Sequence, residues 1–185
     1  LHYYETLPSM STYNYRYTGI GIDLAISQKQ TADYTAMVAG MVFDRQQAMR
    51  LYILPNPVNE RLTFPQQLDR AKAMHTTLHG AKLFIEDVGY QTALIQQLNR
   101  DGFQAEGVPV HGQDKRARLA LVTSHIQNGQ VLFPKVGAEN LIRQLTGFGT
   151  ETHDDLADAF AILTYKTIEK NRKLARVFKE KPAGW

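Results

Sequence analysis

An apolar segment that ends in a carboxylate places the strongest constraint on how this chain can fold. Residues 17–24 read Tyr-Thr-Gly-Ile-Gly-Ile-Asp-Leu, which is typical of a short buried strand, and Asp23 lies near its carboxyl end. An unpaired buried charge is too costly to keep. Asp23 must therefore be hydrogen-bonded, paired with a cationic side chain or bound to a cation.

The composition narrows the kind of partner that Asp23 can have. The chain has 185 residues, enough for one domain with a continuous core, and a mildly basic net charge of +3 that is compatible with nucleic acid. It contains no cysteine, which excludes thiolate metal sites and leaves oxygen or imidazole ligands. No apolar run approaches the length of a membrane span and no secretory signal opens the chain, so we expect no membrane association.

The order of predicted elements indicates the fold class. Three strands are predicted first, with short links typical of an antiparallel meander, and helices then alternate with strands. The predicted strands are 17–24, 34–43, 48–54, 81–85, 104–108 and 131–133, and the predicted helices are 64–79, 92–98, 115–127, 139–146 and one from His153 onward. This order predicts an α/β fold whose central mixed sheet is flanked by helices on both faces. We expect a linker or arm over 1–16, the domain over 17–170 and a basic C-terminal tail over 171–185.

Two later acidic stretches can lie beside Asp23. Glu86 and Asp87 follow a uniformly apolar predicted strand, and the sites of open α/β sheets lie at the carboxyl ends of strands. Asp155 and its neighbours Asp154 and Asp158 fall in the first turns of the last predicted helix, which can present a carboxylate to the first strand. Singly, each acid is explained as a turn residue, a solvated loop charge or a helix cap. Their order, strand, strand and helix, favours one shared site.

Clustered carboxylates imply cations. Each pair of carboxylates repels by about 4 kcal/mol at about 4 Å with an effective dielectric near 20, so the group must take up protons or bind metal ions. Oxygen ligands with open positions suit Mg²⁺ or Mn²⁺. Two such ions roughly 3.5–4 Å apart can activate a water and stabilise a leaving 3′ oxygen, which is the chemistry of phosphodiester hydrolysis.

Together these residues resemble the RNase H-like nuclease superfamily, and within it the C-terminal nuclease domain of tailed-phage large terminases. The matching segments are Gly-Ile-Asp at 21–23, Phe-Ile-Glu-Asp-Val-Gly-Tyr at 84–90, Asp-Lys-Arg-Ala-Arg at 114–118, Gly-Gln-Val-Leu-Phe-Pro at 129–134 and His-Asp-Asp-Leu-Ala-Asp-Ala at 153–159. The resemblance covers roughly residues 17–165. It implies an RNase H-like fold and a Mg²⁺- or Mn²⁺-dependent endonuclease that uses two divalent cations to cut concatemeric double-stranded DNA during genome packaging.

The resemblance also implies roles for individual residues. Asp23, Glu86 and Asp155 are the implied catalytic metal ligands. Asp87 is the alternative to Glu86, and Asp154 and Asp158 are the alternatives to Asp155. The candidate contacts to DNA phosphates are Lys115, Arg116, Arg118 and His153, although an exposed charged helix face explains the three basic residues equally well.

The implied partners are double-stranded DNA, an N-terminal packaging ATPase, the portal and the small terminase subunit, in the cytoplasm of an infected bacterial host. We expect the isolated domain to be a monomer. We also expect it to have no ATPase activity, because no Gly-x-x-x-x-Gly-Lys-Ser/Thr pattern occurs in the sequence. A RuvC-type Holliday-junction resolvase and a non-catalytic RNase H-like DNA-binding module are the alternatives. Actin-like sugar kinases and Hsp70 chaperones share Gly-Ile-Asp-Leu, but this chain lacks the second phosphate loop and the length that they need.

Overall fold

The computed structural model describes residues 1–12, 14–24, 34–45, 48–87, 89, 91–109, 115–147 and 154–180, with the backbone alone at 45, 115–119 and 173–180. The strands in these ranges are β1 (His2–Tyr4), β2 (Tyr15–Leu24), β3 (Tyr34–Arg45), β4 (Ala48–Ile53), β5 (Val58–Arg61), β6 (Lys82–Glu86), β7 (Ala105–Val108) and β8 (Val131–Pro134). The helices are α1 (Phe64–Thr77), α2 (Gln91–Arg100), α3 (Lys115–Gln127), α4 (Glu139–Thr146) and α5 (Asp155–Glu180). In these residues no helix is long and apolar enough to cross a membrane.

The strands form one mixed sheet in the order β1-β8-β4-β3-β2-β6-β7, and β5 pairs with β3. The pairs β2–β3 and β3–β4 are antiparallel, which confirms the predicted meander. The pairs β2–β6, β6–β7, β4–β8 and β1–β8 are parallel. The predicted α/β class with a central mixed sheet is therefore correct.

Each face of the sheet is covered by its own helices. One apolar cluster joins Ile20, Ile22 and Leu24 of β2 to the buried residues of α1 and α2. The other cluster joins the sheet to α3, α4 and α5. Because side chains alternate along a strand, the remaining β2 positions lie on the α5 face. This second set of β2 residues ends in Asp23.

Two short strands have no counterpart in the sequence prediction. β1 lies in the segment expected to be a linker or arm, where it extends the sheet by parallel pairing with β8, and Tyr4 donates a hydrogen bond of 2.6 Å to the carbonyl of Ile53. β5 pairs with β3. Both strands are too short for a periodic signal, and their pairing partners are distant in the sequence. At the other end α5 continues to Glu180, so helix occupies much of the segment expected to be a basic tail.

Candidate active site

Asp23 and Glu86 lie side by side on the α5 face of the sheet. β2 and β6 are parallel, and their register pairs Ile22 with Ile85, so the next position on each strand brings Asp23 beside Glu86. Ile22 and Ile85 are buried in the cluster under α1 and α2. Strand alternation therefore directs the two carboxylates to the opposite face, at the carboxyl ends of both strands. The sheet thus brings together the first two predicted ligands.

Asp87 is engaged on the other face. Its Oδ1 accepts a hydrogen bond of 2.7 Å from the hydroxyl of Thr92 in α2. Its side chain also lies beside Gly107 of β7, where an added Cβ would be 3.0 Å from Oδ2. Gly107 pairs with Ile85 and shares its face of the sheet. The placement of these two acids therefore favours Glu86 over Asp87 as the partner of Asp23.

Helix α5 lies directly on β2 because β2 has no side chain at the crossing. A Cβ built on Gly21 would overlap the carbonyl oxygen of Ala159 and would lie 2.7 Å from the amide nitrogen of Leu163. Any larger residue at position 21 would hold the helix away from the sheet. The glycine in Gly-Ile-Asp is thus what allows the last helix to approach the first strand.

The helix and the strand run in opposite directions with a matched spacing. Three contacts show this direction: Tyr17 lies beside Thr167, Gly19 beside the side chain of Leu163, and Gly21 beside both Ala159 and Leu163. Two residues of strand advance about 6.6 Å and four residues of helix advance about 6.0 Å, so the two elements stay in step. Continued in the same direction, the helix leads to Asp155 and the strand to Asp23, so we expect these two acids at the same end of the sheet. Asp155 is partly exposed as a residue, but its Oδ2 atom is buried.

The two neighbouring acids of α5 flank this position. The amide of Asp158 donates a hydrogen bond of 3.0 Å to the carbonyl of Asp154, which closes the first turn of the helix. Asp155 is four positions before Ala159, which contacts Gly21 of β2, so these two residues share a helical stripe, whereas Asp154 and Asp158 share the adjacent one. Asp155 is therefore the acid of this helix that the register directs toward Asp23.

Asp23 and Glu86 are neighbours on adjacent strands, but no closed ligand set is formed by the residues that the structure describes. Within the described parts of the chain, no three His, Asp or Glu side chains lie close enough together to share a metal ion. Asp23, Glu86 and Asp155 each have an interaction of their own. Their joint ligation of a cation stays a prediction.

The candidate DNA contacts are placed only in part. Lys115, Arg116 and Arg118 lie in the first turn of α3, where only the backbone is described, and His153 lies outside the described residues. α3 itself packs on the same face as α5 through Val122. The roles of these four residues in DNA binding stay predictions.

Two buried glutamines support the site, and sequence reasoning overlooked both. Oε1 of Gln144, in α4, accepts hydrogen bonds from the amides of Leu156 at 2.8 Å and Ala157 at 3.2 Å. Nε2 of Gln91, in α2, donates a hydrogen bond of 3.1 Å to the carbonyl of Leu24, next to Asp23. Gln144 is 8% exposed and Gln91 1%. The sequence signal that could have identified them is a glutamine at a helix position that the apolar periodicity assigns to the core.

Solved structures with the same fold are phage terminase nucleases. The large terminase nuclease from thermophilic phage G20c with bound zinc matches with a TM-score of 0.60 and 20% identity, covering 83% of this chain and 84% of that one. The large terminase nuclease domain of Thermus phage P74-26 matches with a TM-score of 0.58 and 18% identity, covering 81% and 80%. The g2p nuclease domain of bacteriophage SPP1 with bound Mn gives a TM-score of 0.56 and 12% identity, covering 82% and 87%.

A family model identifies the chain more directly than these distant structures do. A comparison with curated proteins gives no significant match. The model of the terminase RNaseH-like domain matches residues 20–165, which include the strand of Asp23, the strand of Glu86 and the start of α5. This match confirms the resemblance seen in the sequence motifs and the RNase H-like fold. The chain belongs to the terminase RNaseH-like domain family.

Proposed function

We propose that this chain is the nuclease domain of a phage large terminase, and that it hydrolyses phosphodiester bonds of concatemeric double-stranded DNA during genome packaging. Asp23, Glu86 and Asp155 are the proposed catalytic metal ligands. The observation that supports this most strongly is the meeting of three chain segments on one face of the sheet: the carboxyl ends of β2 and β6 and the start of α5. Family membership supports the same function.

The donor chemistry fits divalent cations. The three proposed ligands supply carboxylate oxygens, and the chain has no thiolate to offer. Such a set suits Mg²⁺ or Mn²⁺, and we propose that two ions bind. Solved relatives carry zinc, magnesium or cobalt in the phage G20c nuclease and Mn in the SPP1 nuclease. When bound, the cations would lower the pKa of the attacking water and neutralise the charge that develops on the leaving oxygen.

The protein's own contribution is the placement of the three acids. The parallel pairing of β2 and β6 holds two carboxylates side by side, and the contact at Gly21 lets α5 approach with the third. The start of α5 carries the partial positive charge of a helix N-terminus, which stabilises a carboxylate at Asp155. Phe84, which is fully buried two residues before Glu86 in the cluster on the α5 face, excludes water from the inner side of the site.

The wider setting follows from the same proposal. The substrate is double-stranded DNA, and the basic residues Lys115, Arg116 and Arg118 with His153 are proposed to contact its phosphates. The packaging ATPase, the portal and the small terminase subunit are the proposed protein partners, and the infected bacterial cytoplasm is the proposed location. The domain alone is proposed to be a monomer without ATPase activity.

Plasmid cleavage tests the proposal directly. Asp23→Asn and Asp155→Asn should each reduce Mn²⁺- or Mg²⁺-dependent nicking by at least about 100-fold, while circular dichroism and gel filtration show an unchanged fold. Asp69→Asn is the matched control, because Asp69 is exposed on α1, which covers the opposite face. Full activity in either site variant would refute the assignment.

Substrate choice separates the alternatives. A terminase nuclease should cut linear duplex DNA, whereas a resolvase should prefer four-way junctions and act as a dimer. The same assay with both substrates therefore distinguishes them. DNA binding with no metal-dependent cleavage would instead leave the non-catalytic module as the function.

A further inference from the structure

The first amides of α5 are bound by a side chain from another helix. Oε1 of Gln144 accepts hydrogen bonds from the amides of Leu156 at 2.8 Å and Ala157 at 3.2 Å, and Gln144 is 8% exposed. These are the second and third residues of α5, the positions whose amides an N-cap side chain normally satisfies. A residue 12 positions earlier in the chain therefore does the work of a cap.

The bond to Leu156 acts on the proposed ligand next to it. The amide of Leu156 belongs to the peptide group that joins Asp155 to Leu156, so Gln144 holds the backbone of Asp155 from its carboxyl side. The contact at Ala159 sets the distance of α5 from β2, and Gln144 links the first turn of α5 to α4. Together they define where Asp155 lies along β2.

The chemical nature of Gln144 suits an acidic site. Its amide oxygen accepts hydrogen bonds without adding a negative charge, as a Ser, Thr or Asn cap does and an Asp cap does not. A neutral acceptor leaves the positive end of the α5 dipole available to the carboxylate of Asp155. An amide loses its hydration on burial, so a buried glutamine in an apolar surface is costly unless it is hydrogen-bonded. The two bonds to the α5 amides offset that cost.

We infer that Gln144 is a positioning residue for Asp155, and that its amide oxygen sets the affinity of the acidic site for divalent cations. The inference rests on the proposed function, because it takes Asp155 to be a metal ligand. Residues that orient a metal ligand without binding the metal themselves typically contribute 10- to 100-fold in metal affinity. Gln144 is expected to fall in that range.

The test uses three variants at this position. Gln144→Met keeps the length of the side chain and removes the hydrogen-bond acceptor. Gln144→Glu keeps an acceptor and adds a negative charge. Gln144→Asn shortens the side chain by one methylene, so that its amide no longer reaches α5. Leu98→Ala is the control for general destabilisation, since Leu98 is fully buried under the opposite face of the sheet. The readouts are the Mn²⁺ dissociation constant from isothermal titration calorimetry and the hydrogen exchange of the Leu156 and Ala157 amides.

We expect Gln144→Met to weaken Mn²⁺ binding at least about 10-fold and to accelerate exchange at both amides. Gln144→Glu keeps an acceptor and should therefore lose less affinity than Gln144→Met, and Leu98→Ala should bind Mn²⁺ normally despite its lower stability. If Gln144→Met fails to fold, Gln144→Asn should show the same loss of affinity.

Two results would overturn the inference in distinguishable ways. Unchanged Mn²⁺ affinity in Gln144→Met, or an equal loss in Leu98→Ala, would show that Gln144 contributes only to stability. If the original protein binds no Mn²⁺, or if Asp155→Asn binds it equally well, the proposed metal site itself is wrong and the role of Gln144 falls with it.

Discussion

Gly21 of β2 and Ala159 of α5 are in direct contact, with no side chain between the strand and the helix backbone. A Cβ at position 21 would overlap the carbonyl oxygen of Ala159. This contact brings the start of α5 to the end of β2. It links the strand that ends near Asp23 to the last helix of the domain by direct backbone packing.

Gly21→Ala should lower the free energy of unfolding by about 1–3 kcal/mol, because a backbone carbonyl cannot rotate away from the new methyl group. The displaced helix should also weaken Mn²⁺ binding. Urea denaturation and calorimetry measure the two effects. Gly107→Ala is the control, since its added Cβ would lie 3.0 Å from the nearest atoms of the Asp87 side chain, a much milder approach than the overlap at Gly21. Equal stability of the two variants would contradict the close contact at Gly21.

Separate replacement of Glu86, the last residue of β6, and of Asp87, the residue after it, should distinguish their roles. Glu86→Gln should reduce metal-dependent cleavage by at least about 100-fold with little change in stability. Asp87→Asn should retain cleavage and lose about 0.5–1.5 kcal/mol of stability, since it weakens the hydrogen bond from Thr92. Thr92→Ala removes the same bond from the other side and should resemble Asp87→Asn. The reverse pattern would assign the ligand role to Asp87.

Divalent cations should stabilise the domain, because they relieve repulsion among the acids and bind only the folded chain. At a free Mn²⁺ concentration 100 times the dissociation constant, the gain is about 2.7 kcal/mol. This corresponds to a rise in Tm of roughly 5–10 °C for a domain of this size. Differential scanning fluorimetry should show the rise in the original protein and little of it in Asp155→Asn. No rise at millimolar Mn²⁺ would argue against the metal site.

Burial of Tyr17 should make the domain sensitive to alkaline pH. Burial raises the pKa of Tyr17 from its ordinary value of 10.0 to about 12, and its hydroxyl lies 3.4 Å from Oγ1 of Thr167. Between these two values the unfolded chain loses the proton while the folded chain keeps it, so stability falls as pH rises from about 10 to about 12. The loss is on the order of 3 kcal/mol.

Urea midpoints at pH 9 and pH 11 measure this effect. Tyr17→Phe should be less stable than the original protein at pH 9 but should lose less on going to pH 11. Tyr3→Phe, at an exposed position, should decline as the original protein does. A decline of equal size in all three proteins would show that Tyr17 is not its source. Tyr4, whose pKa burial also raises to about 12, should maintain part of the decline in Tyr17→Phe.

Local pattern was sufficient for most of the secondary structure. The predicted bounds of α3 and α4 agree with the observed helices, and the predicted meander corresponds to β2, β3 and β4. These elements carry their own signals, apolar periodicity and turn residues. β1 and β5 carry no such signal, because each is a few residues long and is extended only through pairing with a distant strand.

By itself, the sequence determined the class of fold, the family and the short set of acids from which a site can be built. Only the tertiary structure decided which of them face one another: the pairing of Ile22 with Ile85 puts Glu86 beside Asp23, and the bond to Thr92 holds Asp87 on the other face. The register of α5 and the cap from Gln144 were likewise settled by packing. The physical reason is that composition and periodicity are local properties, whereas facing, register and capping depend on contacts between residues far apart in the chain.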